Sequence, residues 1–201
     1  MHSSLQRIEQ HSHCPNGMAM RPDIGPGDYA PDFELPNANS KVGGGSMALS
    51  DVMGENGAVV VFTCNHCPYV VGSEPRIEAI VGRARQGGLG FAGINANDPV
   101  DYESVSWEHM VKRADRGMTY SYLHDASQEV AAAYGAERTP EFYLMDSTGL
   151  ISYRGRMDDS PRDPSHATTS ELADAIDEML SGVGVTVPRT DSIGCSVKWK
   201  M

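Results

Sequence analysis

Cys64-Asn65-His66-Cys67 sets two thiols two residues apart, a spacing that supports thiol–disulfide exchange. The reactive form of such a thiol is the thiolate, favoured where unpaired backbone amides and the positive end of a helix face the sulfur. The apolar run Ala58-Val59-Val60-Val61-Phe62-Thr63 before the pair reads as a buried strand, and the helical spacing after it places Cys64 at a strand-to-helix junction. One helical turn brings Cys67 round to a mixed disulfide on Cys64, so Cys64 is expected to attack and Cys67 to resolve. His66, as a cation or hydrogen-bond donor, is expected to lower the Cys64 pKa and make the disulfide more oxidising. The other reading of His66 is a ring turned to solvent.

The elements that must hold this pair follow from pattern. Ala30 to Pro36 alternates like a strand, and a polar, Gly-rich turn from Asn37 to Gly45 leads to Ser46-Met47-Ala48-Leu49, which predicts an N-terminal hairpin. Val70, Val71, Ile77, Ile80, Val81 and Ala84 share a helical face over 68–86, with Gly72 and Pro75 kinking it. Leu89 to Ile94 is the next buried strand. A helix with Trp107, Met110, Val111 and Ala114 on one face ends near Gly117, before a short strand from Tyr120 to Leu123. Asp125 and Gln128 read as a variant capping box opening a helix through Val130, Ala133 and Tyr134, closed by Gly135. Strands Glu141 to Met145 and Leu150 to Tyr153 flank the turn 146–149. Thr168 and Glu171 read as the capping box of a last helix with Leu172, Ala175, Ile176, Met179 and Leu180 inward. Strand and helix alternate, so the fold class is α/β.

With 201 residues, 40% hydrophobic and 21% charged, the chain suits one core. The expected division is a flexible tail over 1–26, a main domain over 27–184 and a C-terminal extension over 185–201 packed on it. A formal net charge of −11 without any Lys/Arg cluster argues against nucleic acid as a partner. No apolar run approaches the ~20 residues of a membrane span. Met1 to Gly17 is polar and His-rich with no apolar signal core, which predicts a cytoplasmic protein, and Met18 and Met20 are alternative starts. The four cysteines, with one close pair, do not form the framework of a small secreted domain.

Several segments together resemble the thioredoxin-like superfamily, and more closely the redoxins of the alkyl hydroperoxide reductase/thiol-specific antioxidant (AhpC/TSA) group. They are A-P-D-F-E-L-P at the front, V-F-T-C-N-H-C-P-Y-V, A-A-Y-G-A-x-x-T-P-E-F-Y-L-M-D, Y-R-G-R-M-D-D and the tail from Ile193 to Trp199. The resemblance covers about Gly27 to the C-terminus. It implies a three-layer α/β/α sandwich with a central mixed sheet, an N-terminal hairpin and a strand-helix insertion before a cis-Pro hairpin. It also implies a cis Thr139-Pro140 bond beside the dithiol, with both residues contacting substrate through an extended segment paired to the backbone before the proline. Two departures matter: Ala58 stands where thioredoxins carry a buried Asp, and aligning on Cys64 puts Val61 and Gly57 where peroxiredoxins carry the peroxide-orienting Thr and the Pro.

The leading functional reading is a thiol–disulfide oxidoreductase acting on protein or small-molecule disulfides and served by a thiol reductant, with no cofactor. A thiol peroxidase or antioxidant redoxin reducing peroxides through Cys64 is the alternative. The second alternative is a metal-binding or noncatalytic module, with Cys64, Cys67 and His66 or His124 as ligands and His11, His13 and Cys14 in reserve. Cys195 in the tail is read either as an auxiliary resolving thiol or as a small buried hydrophobe. Arg138, Arg154, Arg156, Asp158 and Asp159 are read as a solvated charged loop or as a rim of the site.

Overall fold

The computed structural model describes residues 21–100 and 102–200; Cys14, His11 and His13 fall outside them. Strand β1 (Glu34–Pro36) pairs antiparallel with β2 (Ser46–Ala48), which forms the expected N-terminal hairpin, and α1 (Leu49–Val52) follows it. The strand is shorter than its alternating pattern, and ahead of it Tyr29 bridges Leu150.

β3 (Gly57–Phe62) is buried at every residue, as its β-branched run requires of a central strand. After it come α2 (Pro68–Val71), α3 (Glu74–Gln86) and β4 (Leu89–Asn95). A 3-10 turn over Glu103–Val105 precedes α4 (Trp107–Ala114), then β5 (Ser121–His124) and α5 (Glu129–Ala133). β6 (Arg138–Thr139), β7 (Glu141–Asp146), β8 (Ile151–Gly155), α6 (Glu171–Leu180) and β9 (Cys195–Ser196) complete the chain.

β7 pairs antiparallel with β3 and with β8, while β4 lies on the other side of β3, where the Thr63 amide donates to the Ile94 carbonyl at 2.8 Å. β5 runs parallel to β4. The central sheet is therefore mixed and five-stranded, in the order β5-β4-β3-β7-β8. Side chains alternate across it. Val59, Val61, Phe142, Leu144 and Tyr153 pack with Ile77 and Val81 of α3 and with Leu172 and Ile176 of α6. Val60, Phe62, Tyr143 and Met145 pack on the opposite face with the hairpin, α1 and α5. The three layers expected from the resemblance are present.

Local signals fared less well. The helix over 68–86 is broken rather than bent, because Pro75 cannot supply an amide and Ser73 donates its hydroxyl to the carbonyls of Tyr69 and Pro161, each at 2.7 Å. Neither capping box forms. Asp125 does serve α5, accepting from the Ala131 amide at 2.8 Å, but Gln128 sits outside the helix at φ 67° and sends its amide elsewhere. Thr168 is held by Asp159, and Glu171 by Arg156, so α6 starts at Ser170 without a side-chain cap. On α4 the buried residues are Met110, Arg113 and Ala114, while Trp107 stays about one-third exposed.

Both ends of the described region are laced to the body. Asp23 pairs with Arg189 and Arg154, and Arg21 lies over the Trp199 ring, so contacts begin ahead of position 27. The backbone at 188–190 bonds to Arg154, and β9 pairs with β6. Among the described residues no helix is long and apolar enough to cross a membrane.

Candidate active site

β3 ends at Phe62, and the chain turns through the dithiol into α2, whose N-cap is Cys67 rather than Cys64. A single-turn helix contributes little dipole, so a charge on Cys64 depends on individual donors. The Cys67 amide donates to Cys64 Sγ at 3.2 Å, the His66 amide also faces it, and the Thr139 hydroxyl lies 3.7 Å away. Cys67 Sγ lies 3.1 Å from the Thr139 carbonyl oxygen, an acceptor that fits a protonated Cys67.

Cys64 and Cys67 are both free thiols, 2% and 0% exposed. Their sulfurs are hydrogen-bonded, so one thiol ionises readily and the other is driven up, with burial adding to the second effect. The amides of Cys67 and His66 and the Thr139 hydroxyl face Cys64, whereas Cys67 meets the Thr139 carbonyl together with the amides of Val70 and Cys195 and the Cys195 thiol.

The Thr139–Pro140 bond is cis, as expected. The loop that carries it is tied down by Glu141, which accepts from the amides of Glu137 and Arg138 and is paired at 2.8 Å with Arg154. Arg154 is thus a buried structural cation, not part of a solvated loop. Asp158 is likewise buried, against Arg76; Arg156 holds Glu171, and Asp159 holds Thr168. Of the five rim candidates only Arg138 reaches the site, donating to the Gly194 carbonyl at 3.1 Å.

The β6 edge expected to pair with substrate is occupied by the chain itself. Thr139 faces Cys195 and Arg138 faces Ser196 across an antiparallel bridge, so the C-terminal strand stands in that position. Cys195 contacts Cys67 there, and burial pushes its thiol up to about 11, helped by that neighbour.

The His66 ring stacks on Tyr102 with centroids 5.3 Å apart and makes no hydrogen bond to either sulfur among the described residues. The hydrogen bond expected from this ring to Cys64 is not formed, and it is the His66 backbone amide that faces the sulfur. The cation near Cys64 is instead Arg113, 8% exposed, which donates to the Cys64 carbonyl and pairs with Glu74 at 2.9 Å. Sequence reading missed it, although an arginine three residues after Met110, on the apolar face of a helix, was the available signal. Asn65 is fixed by Tyr122 at 2.7 Å and by the Ser104 carbonyl at 2.8 Å. Asn65, Arg113 and Glu74 line a cavity of about 430 Å³ next to the dithiol. His124 lies against Trp107, away from the sulfurs, and no three His, Cys, Asp or Glu side chains gather as a metal site among the described residues.

Residues 26–154 match the AhpC/TSA family, which is more than half of the chain. The chain belongs to the AhpC/TSA family. Among solved structures this AhpC/TSA chain is similar to an uncharacterized conserved protein from Geobacillus kaustophilus, 37% identical over 87% of this chain and 92% of that one, with TM-score 0.80. A hypothetical protein from Sinorhizobium meliloti 1021 is 33% identical over 90% and 97%, with TM-score 0.79. A putative protein disulfide isomerase from Bacteroides thetaiotaomicron shares the fold at 21% identity over 82% and 95%, with TM-score 0.60. No curated protein matches the chain. This chain carries the thioredoxin-like fold that these structures share.

Proposed function

We propose that this redoxin is a thiol–disulfide oxidoreductase in which Cys64 attacks and Cys67 resolves. The observation that supports the reading is the matched pair of hydrogen-bond polarities at Thr139. Its hydroxyl and the Cys67 amide serve Cys64 as donors, while its carbonyl accepts from Cys67. Attack by the Cys64 thiolate on a disulfide forms a mixed disulfide and releases one thiolate of the partner. Cys67 gives up its proton and its sulfur attacks Cys64 Sγ; the Cys64–partner bond breaks, the partner's second sulfur leaves as a thiolate that takes up a proton, and the Cys64–Cys67 disulfide forms. The reacting sulfurs are covered, so substrate entry requires local opening beside Arg113 or at the β6 edge.

Trapping tests this. Cys67→Ser should accumulate mixed disulfides on Cys64 that reductant releases, and Cys64→Ser should lose all disulfide reductase activity. Equal trapping on both single variants would refute the assignment of roles. Membership of the AhpC/TSA family favours peroxide reduction as a second reading. Against it, fully buried Val61 offers no hydroxyl to orient a peroxide. Stopped-flow oxidation of the reduced protein by hydrogen peroxide decides, and a rate no faster than that of a simple thiolate removes the peroxidase.

A further inference from the structure

Cys195 is not an isolated cysteine. Its strand is the outermost piece of the site: Thr139 pairs with Cys195 on one side and accepts from Cys67 on the other, and the Cys67 and Cys195 side chains are in hydrogen-bond contact. Exposure differs across the three sulfurs. Cys64 and Cys67 are almost fully covered, while Cys195 is partly open to solvent.

The strand is built to come this close. Gly194 lies directly on the Thr139 carbonyl, where any Cβ would collide with it, so only glycine lets Cys195 approach. Arg138 holds the Gly194 carbonyl at 3.1 Å, and the Val197 amide donates to the Glu137 carbonyl at 3.0 Å. Further on, the Lys198 amide donates to Asn97 at 2.8 Å, and Gln128 grips both Lys198 and Lys200. A segment whose only duty was to cover apolar surface would not need a thiol at the one position facing Cys67.

We propose that Cys195 is a third redox thiol of this site, which takes the disulfide over from the buried pair and presents it to an external dithiol reductant. The proposal rests on the dithiol reading above and extends it. Once Cys64 and Cys67 are joined, the Cys195 thiol gives its proton to solvent and its sulfur attacks Cys67 Sγ. The Cys64–Cys67 bond breaks, the Cys67–Cys195 bond forms, and Cys64 leaves as a thiolate; no electrons are gained or lost overall. An external dithiol then attacks Cys195 Sγ, releases Cys67 as a thiolate, and closes its own disulfide as Cys195 returns to the thiol. Substrate is thereby met at Cys64 and reductant at the C-terminal strand.

Disulfide mapping by mass spectrometry, after acid quenching and alkylation, tests this on the full chain in a glutathione redox buffer that oxidises the wild type. Cys64→Ser should form an intramolecular Cys67–Cys195 disulfide, and adding Gly194→Val to it should abolish that bond by lifting the strand. Wild-type protein, mapped without any substitution, should show Cys64–Cys67 as the main species and Cys67–Cys195 as a minor one. Absence of Cys67–Cys195 from both the variant and the wild type, with Cys64–Cys67 present, overturns the relay and leaves the dithiol reading standing. Absence of both bonds overturns the two together.

Discussion

Arg113 spans the Cys64 carbonyl and the Glu74 carboxylate from a position less than a tenth exposed. A buried guanidinium this close favours an anion on the neighbouring sulfur. Arg113→Met should therefore raise the apparent pKa of the reactive thiol by about one unit. Iodoacetamide alkylation followed against pH reads the shift, with the rate near neutral pH falling about tenfold for each unit. The lost bond to the Cys64 carbonyl should cost about 1–3 kcal/mol of stability. Arg113→Lys keeps the charge and should restore much of the alkylation profile; an unchanged profile in both variants would show that the charge does not act on the sulfur. At this scale the dithiol was legible in the residues because its two thiols are near neighbours, whereas the Thr139-Pro140 pair, 72 positions from Cys67, came only through the family resemblance. Arg113 was not legible, because its partner lies 49 positions away along the chain.

Gln128 joins elements that no local pattern connects. Its side chain donates to the Ala96 carbonyl at 2.5 Å and to the Lys198 carbonyl at 2.8 Å, and accepts from the Lys200 amide at 2.7 Å. These bonds hold it at positive φ, which is uncommon for a residue other than glycine, and they explain why it cannot serve a capping box. Gln128→Ala should release residues 198–200 and accelerate hydrogen exchange at the Lys200 amide. The loss should be about 0.5–1.5 kcal/mol for each bond removed. Gln128→Gly relaxes the backbone yet removes the same clamp. Equal acceleration in both variants assigns the effect to the side chain, and acceleration in Gln128→Ala alone assigns it to strain. The same cause defeated the second box: Thr168 and Glu171 had stronger partners in Asp159 and Arg156 than in each other.

For the whole molecule, acid is the informative variable. The Thr168 hydroxyl holds the Asp159 carboxyl at about 2, down from 3.8, and the Ser165 hydroxyl does the same for Asp163. A carboxyl depressed in the folded state binds fewer protons there than in the unfolded chain. Its contribution is thus complete above its unfolded value and is lost as pH falls toward 2. Thermal midpoints should decline between pH 4 and 2, and Asp159→Asn with Asp163→Asn should flatten that decline. Identical slopes in the double variant and the wild type would remove the 157–168 loop as its source.

The proline that faces the dithiol came from the family resemblance, while the residues themselves determined the order of strands and helices, the double-sided burial of β3 and the position of the dithiol at its end. Those last features depend on hydrophobic period and β-branching, both of which are written locally. Tertiary structure alone decided which sulfur meets which donor, that Arg113 supplies the nearby charge in place of His66, and that β9 lies on the edge of β6. Each of those depends on contacts between distant segments, whose identity is fixed only once the sheet has set the separation of its two faces.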